Sequence, residues 1–189
     1  ALFDKAKTHK IFSLRIWSQC CDYRVDCYNK NLTPIGLDLD GSGAVEAIRG
    51  EFYVDITGDV FAETLDEWFA PTEGILIDTS IGLKNGINGK HLFGDMGGTY
   101  KNGFEKLALR DMNKDGVISG DELKGLALWV DADSDAELDD GEIQSLESYN
   151  IVGLNTESSH MKSTAILKDG TTMAMEDLYF SEEELETIA

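Results

Sequence analysis

The chain has 189 residues, 36 of them Asp or Glu against 16 Lys or Arg, for a formal net charge of −20. Such a field repels nucleic acid and anionic lipid and opposes compaction unless cations bind, although an acidic surface that only aids solubility is the plainer alternative. With 42% apolar and 9% aromatic residues the composition suits a packed core, and there is no apolar run of about 18 residues with which to span a membrane as a helix.

Charge divides the sequence. Residues 1–32 carry a net +3 and the remainder a net −23, with the change at Asn31-Leu32-Thr33-Pro34; Pro34 pushes Thr33 towards extended geometry. The expected organisation is a basic, cysteine-containing segment over 1–32, an acidic calcium-binding module over 33–180 and an acidic tail over 181–189. The chain starts at Ala1 without Met and without the apolar stretch of a signal peptide, as expected of a processed product or a piece of a larger protein. Cys20, Cys21 and Cys27 lie close enough for one disulfide and a leftover thiol, whereas zinc would want a fourth ligand, and His9 is 11 residues upstream of Cys20. Phe12, Leu14 and Ile16 alternate as in a strand, with a helix over 3–17 competing. Asn31-Leu32-Thr33 fits a glycosylation acceptor.

Further along, Ile75-Leu76-Ile77 predicts a buried strand. Phe104 to Arg110 predicts a helix with Phe104, Leu107 and Ala108 on one face. Leu123 to Val130 predicts a second, largely buried helix, and Glu142 to Tyr149 a third that stops before Asn150. Ala165-Ile166-Leu167 and Thr171 to Ala174 flank Lys168-Asp169-Gly170 as a hairpin, and Ser181 to Glu186 reads as a frayed helix. The expected fold class is α+β: EF-hand-like calcium loops with short helices, plus short strands and a C-terminal β-hairpin.

The chemistry lies in the Asp/Gly loops. Ca²⁺ is a hard ion that takes oxygen ligands, and a 12-residue loop supplies them from positions 1, 3, 5, 7, 9 and 12 with Gly at 6. In residues 111–122 these are Asp111, Asn113, Asp115, the Val117 carbonyl, Ser119 through water, and Glu122, with Gly116 at the turn and apolar Ile118 at position 8. Residues 131–142 offer Asp131, Asp133, Asp135, the Glu137 carbonyl, Asp139 and Glu142, but Ala136 replaces the turn glycine; a left-handed alanine costs roughly 1–2 kcal/mol. Only Leu123 to Val130 separates the loops, about 12 Å of helix, so they are expected at opposite ends of one shared helix, with Ile118 and Leu138 packing against other segments.

Two partial loops lie upstream. Asp38, Asp40, Ser42 and the Ala44 carbonyl occupy positions 1, 3, 5 and 7 of the first, but position 12 is Arg49, for which Glu46 could compensate. Asp55, Thr57, Asp59 and the Phe61 carbonyl do so in the second, with Glu63 and Asp66 at positions 9 and 12 and Val60 at the turn. Asx-turn chemistry explains either pattern without a metal. The expectation is two Ca²⁺ sites at 111–142 and up to two more at 38–66.

The order of the pieces resembles the calcium-dependent self-processing module of RTX proteins of the FrpC type, secreted by Gram-negative bacteria. The resemblance is carried by the series Pro34 to Gly41, Phe61-Ala62-Glu63, Trp68, Ala70-Pro71, Gly74 to Ile77, Leu92 to Asp95, Asn102 to Glu105, both loops with Trp129, Asp169-Gly170 and Glu176 to Phe180. It implies Ca²⁺-driven folding and, in processing members, cleavage of an Asp-Pro bond before the first loop, where the aspartate's own carboxyl attacks the peptide carbonyl. Thr33 stands at that position here, and a hydroxyl is a far weaker nucleophile. Residues 78–91, where the resemblance implies another acidic loop, place Ile81 and Leu83 at ligand positions and His91 where an acid is expected, so that site reads as emptied.

The leading expectation is a calcium-binding structural or interaction module of a secreted, extracellular or cell-surface protein. Its expected partners are Ca²⁺ and other domains or subunits of an extracellular assembly, with no nucleic acid and no membrane insertion. The alternatives are a calcium-activated autoproteolytic module, inactivated by Thr33, and a calcium sensor. Sensors expose a Met-rich groove on opening, whereas the methionines here are scattered.

Overall fold

The computed structural model describes residues 32–180, within the unit Asn31–Ala189. The cysteine cluster, the strand or helix expected near the N-terminus, the Asn31 acceptor and the C-terminal helix fall outside the described residues. Ten strands follow in chain order: β1 (Ile35–Asp38), β2 (Ala47–Val54), β3 (Glu63–Phe69), β4 (Glu73–Asp78), β5 (Val117–Ser119), β6 (Leu126–Trp129), β7 (Ile143–Gln144), β8 (Ile151–Asn155), β9 (Lys162–Leu167) and β10 (Thr172–Asp177). The one α-helix among the described residues, α1 (Gly103–Leu107), continues as a 3-10 turn over Ala108–Arg110. Eight strands form a sheet in the order β5-β8-β9-β10-β1-β4-β6-β7, every pairing antiparallel, and β2 and β3 form a separate hairpin. No helix among the described residues is long and apolar enough to cross a membrane, which leaves β-barrel spanning unaddressed.

The expected α+β class is therefore corrected to a predominantly β fold. The shared helix over Leu123 to Val130 does not form. A 3-10 turn ends at Leu123, Gly125 is left-handed at φ 81°, and Leu126–Trp129 pairs with β4 and β7. The reason is two-sided burial: Ala127 and Trp129 enter one core with Ile75 and Ile77, while Leu126 and Leu128 enter the other with Leu76. A strand covered on both faces reads as a continuous apolar run, and periodicity alone does not separate it from a buried helix. The helix expected over Glu142 to Tyr149 is likewise a short strand followed by a 3-10 turn over Leu146–Tyr149, stopped by left-handed Asn150 at φ 58°.

Other elements agree with the residue pattern. Ile75–Ile77 lies in the centre of the sheet, fully buried. Asn102 caps α1 by accepting the Glu105 N–H at 2.9 Å, and β9 and β10 form the hairpin around Asp169-Gly170. Trp68 centres the first core, its ring 5.5 Å from Phe69, 5.7 Å from Trp129 and 5.5 Å from Phe180 between centroids.

The Thr33–Pro34 junction is deeply enclosed. The Ile35 N–H bonds the Phe93 carbonyl, the Leu178 N–H bonds the Pro34 carbonyl, and the Thr33 hydroxyl accepts the Asp95 N–H at 3.0 Å. A Cβ on Gly94 would sit 1.5 Å from the Thr33 carbonyl oxygen, so only glycine admits this approach. Asp177, 2% exposed, accepts the Gly103 N–H at 2.6 Å through one oxygen, while its other oxygen has no partner. Burial and the nearby charge of Asp95 push its carboxyl up to about 7 from an ordinary 3.8, against the opposing bond from Gly103.

Between about pH 4 and 7 the folded chain thus keeps a proton that the unfolded chain has released, and stability falls as pH rises through that window. Asp177→Asn is expected to lessen this fall and to raise stability at pH 8 by roughly 1–3 kcal/mol. Urea denaturation at pH 5 and pH 8 measures it; a variant weakened more at pH 8 than at pH 5 contradicts the assignment.

Candidate functional site

The four acidic loops share one local construction, in which the first aspartate gathers the amides of the turn. Asp38 accepts N–H bonds from Gly41 (2.8 Å), Ser42 (3.0 Å) and Gly43 (2.7 Å). Asp55 accepts those of Gly58, Asp59 and Val60 at 2.8, 3.0 and 3.0 Å, and Asp111 those of Lys114, Asp115 and Gly116 at 2.7, 3.3 and 2.8 Å. Asp131 accepts those of Asp135 (3.2 Å) and Ala136 (2.9 Å). Position 6 is left-handed in all four: Gly43 at φ 101°, Val60 at 76°, Gly116 at 88° and Ala136 at 61°. Asp59, Asp115 and Asp135 each accept the N–H two residues ahead, at Phe61, Val117 and Glu137, whereas the Ser42 hydroxyl donates to the Ala44 carbonyl at 3.0 Å.

A glutamate closes three of the loops. Glu122 accepts the N–H groups of Met112, Asn113 and Ser119, and Glu142 those of Ala132 and Asp139. In the loop at Asp55 this place is taken by Glu63, which accepts the Ile56 N–H at 3.0 Å and the Thr57 hydroxyl at 2.9 Å. It stands at position 9, three residues earlier than the spacing of the other loops would place it.

Loop 131–142 is joined to the core. The indole N–H of buried Trp68 donates to Asp131 at 2.7 Å and that of buried Trp129 to Glu142 at 3.0 Å. Burial raises the Asp131 carboxyl above its usual range, Glu142 adding to the effect against the bonds from Ala136, Trp68 and Asp135. For Glu142 burial also opposes ionisation, but the Asp139 N–H, the Trp129 indole and the Ala132 N–H together hold it below the ordinary value. Asp139 is raised by slight desolvation and by repulsion from Asp135, Asp133, Glu142 and Asp140.

Carboxylate oxygens of Asp131, Asp133 and Glu142 lie within 4.8 Å of one another, as do those of Asp133, Asp135 and Asp139, and of Asp38, Asp40 and Glu73. These groups are all-oxygen donor sets of the kind that suits Ca²⁺ and other hard cations. In loop 111–122 the acidic side chains form no such group among the described residues. Asp111 and Glu122 bond loop amides there, and Asp115 also accepts the Asn113 side-chain amide at 2.9 Å. Ile118 is fully buried in β5 opposite Leu154, and Leu138 packs against the Trp68 core.

Residues 78–91 are built differently. Arg110 donates to Asp78 at 3.3 Å, Lys106 reaches the carbonyls of Gly89, Lys90 and Leu92, and His91 Nε2 bonds the Gly82 carbonyl at 2.9 Å. Burial depresses the Lys106 ammonium to about 8, against the attraction of Asp78.

Val60 holds its left-handed φ with a side chain 75% exposed, so glycine there removes strain at little loss of packing. Val60→Gly is expected to raise stability by about 1 kcal/mol, read as a higher urea midpoint at unchanged slope; an unchanged or lowered midpoint contradicts it.

The model of the SPM domain family matches residues 35–181, a span that holds all four loops and every named strand. No curated protein matches the chain. The chain belongs to the SPM domain family.

Proposed function

We propose that this chain is a calcium-stabilised module of a secreted or cell-surface protein, rigidified by Ca²⁺ at its acidic loops so that its surface can engage other domains or subunits. The observation that carries this reading is the link from loop 131–142 to the core, since the indole N–H groups of Trp68 and Trp129 hold the first and last carboxylates of the loop. An ion drawing Asp131, Asp133 and Glu142 together also fixes the two largest buried side chains, so binding energy is delivered as folding energy. An extracellular setting is part of this reading, since extracellular modules use oxygen-rich loops of this kind at dissociation constants of about 10⁻⁴–10⁻³ M. Strands and 3-10 turns flank the loops, with no helix pair among the described residues to swing open as in a sensor.

Occupying a site at 100 times its dissociation constant contributes roughly 2.7 kcal/mol, a rise of about 5–10 °C in Tm for a unit of this size. Melting in 5 mM Ca²⁺ and in EGTA is expected to differ by at least that much. Glu142→Gln is expected to shrink the difference and, by calorimetry, to lose a bound ion. Identical curves for the parent chain sink the proposal.

A second reading, an autoproteolytic module, turns on the enclosed Thr33–Pro34 junction, whose chemistry weighs against it. An aspartate attacking its own carbonyl closes a five-membered anhydride, whereas the Thr33 hydroxyl doing so would close a strained four-membered lactone, and its oxygen already accepts the Asp95 N–H. The chain is therefore expected to stay intact after prolonged incubation with Ca²⁺. Mass spectrometry checks this, and a fragment beginning at Pro34 restores the enzyme reading.

A further inference from the structure

We propose that Asp38, Asp40 and Glu73 form a divalent-cation site, with Glu73 the carboxylate that the linear loop after Asp38 lacks. Glu73 lies 35 residues after Asp38 in the chain and directly opposite it across the β1–β4 pairing. It opens β4, where its N–H bonds the Ala70 carbonyl, and antiparallel pairing carries its side chain to the loop. Oxygens of all three carboxylates lie within 4.8 Å of one another.

The second observation is an orphaned atom. Glu73 is 1% exposed; its Oε1 accepts the Thr72 hydroxyl at 3.1 Å, and its Oε2 has no partner. The closing glutamates of the other loops differ. Both oxygens of Glu63, Glu122 and Glu142 accept bonds from their own loops or from an indole. A buried carboxylate oxygen without a donor is costly, and none of the ion pairs among the described residues reaches Asp38, Asp40 or Glu73. Asp38, Asp40 and Glu46 place like charge around Glu73. A hard cation supplies the missing partner and removes that repulsion together, and the all-carboxylate donor set matches Ca²⁺. The site would tie the loop at one end of β1 to the start of β4, two strands at the centre of the sheet.

This deepens the calcium reading of the loop at Asp38 and is separable from that of loop 131–142. The test is Ca²⁺ calorimetry on the full chain and on Glu73→Gln, Asp40→Asn and Glu142→Gln, with melting in EGTA alongside. Glu73→Gln and Asp40→Asn are each expected to bind one ion fewer than the parent, and Glu73→Gln combined with Glu142→Gln two fewer. Glu73→Gln is expected to melt in EGTA no lower than the parent, so that a lost ion is not a lost fold; should it fail to fold, exposed Asp40→Asn decides. A Glu73→Gln chain that binds the parent's number of ions overturns this inference while leaving loop 131–142 intact. Loss of an ion in Glu73→Gln but not in Glu142→Gln upholds it and removes the other site. A parent that binds no Ca²⁺ overturns both.

Discussion

Burying a carboxylate obliges the fold to supply something positive for it, and the most consequential case is the pair of indole N–H groups that meet Asp131 and Glu142. Trp68 and Trp129 are almost fully enclosed, and their rings contact each other across the first core. Trp68 comes from β3 in the separate hairpin and Trp129 from β6 in the main sheet. Through one aspartate and one glutamate, the acidic loop thus clasps side chains from both β-structures. The aromatic cluster in turn needs the loop, because an indole N–H buried without an acceptor costs free energy comparable to a lost hydrogen bond. Core and loop are one arrangement.

Much of the loop chemistry was legible in the sequence. Aspartates at positions 1 and 5 announce the turn because those side chains have amides to bond a few residues on, and glycine at position 6 announces a left-handed φ. Val60 and Ala136 hide that signal, yet both adopt the left-handed conformation, since three or more hydrogen bonds to the preceding carboxylates outweigh the strain of a single residue. The fold class was not legible. Leu126-Ala127-Leu128-Trp129 has no polar face, and nothing in four buried residues distinguishes a short helix from a strand covered on both sides. Five-residue α1, by contrast, was visible from Phe104 and Leu107 on one face, although Ala108, expected with them, is exposed beyond its end.

Carboxylates that close a loop from a distance were the other blind spot. Glu122 and Glu142 sit twelve residues into their loops because nothing interrupts the turn. In the loop at Asp55 the chain enters β3 early, and Glu63, at the first position of that strand, is already in place. After Asp38 the chain leaves for the whole β2–β3 hairpin before returning at Glu73. Spacing along the chain is blind to register, and register is what places Glu73 beside Asp38. A search for acidic residues opening a strand that follows a hairpin would have found it.

The segment over residues 78–91 shows the other solution to the same electrostatic demand. Arg110 and Lys106 carry their charge on side chains anchored to the 3-10 turn and to α1, so that below about pH 8, where Lys106 stays protonated, positive charge is present at fixed effective concentration whatever free cations the medium contains. A tethered cation has no dissociation equilibrium and no dependence on ionic supply. This part of the sheet, where β4 meets β6, is therefore insulated from chelation, and on the proposed calcium reading removal of free cations loosens the molecule unevenly, from the remaining acidic loops inward. The fold carries its own counter-ions at one edge of its core and, on the calcium reading proposed above, borrows them elsewhere.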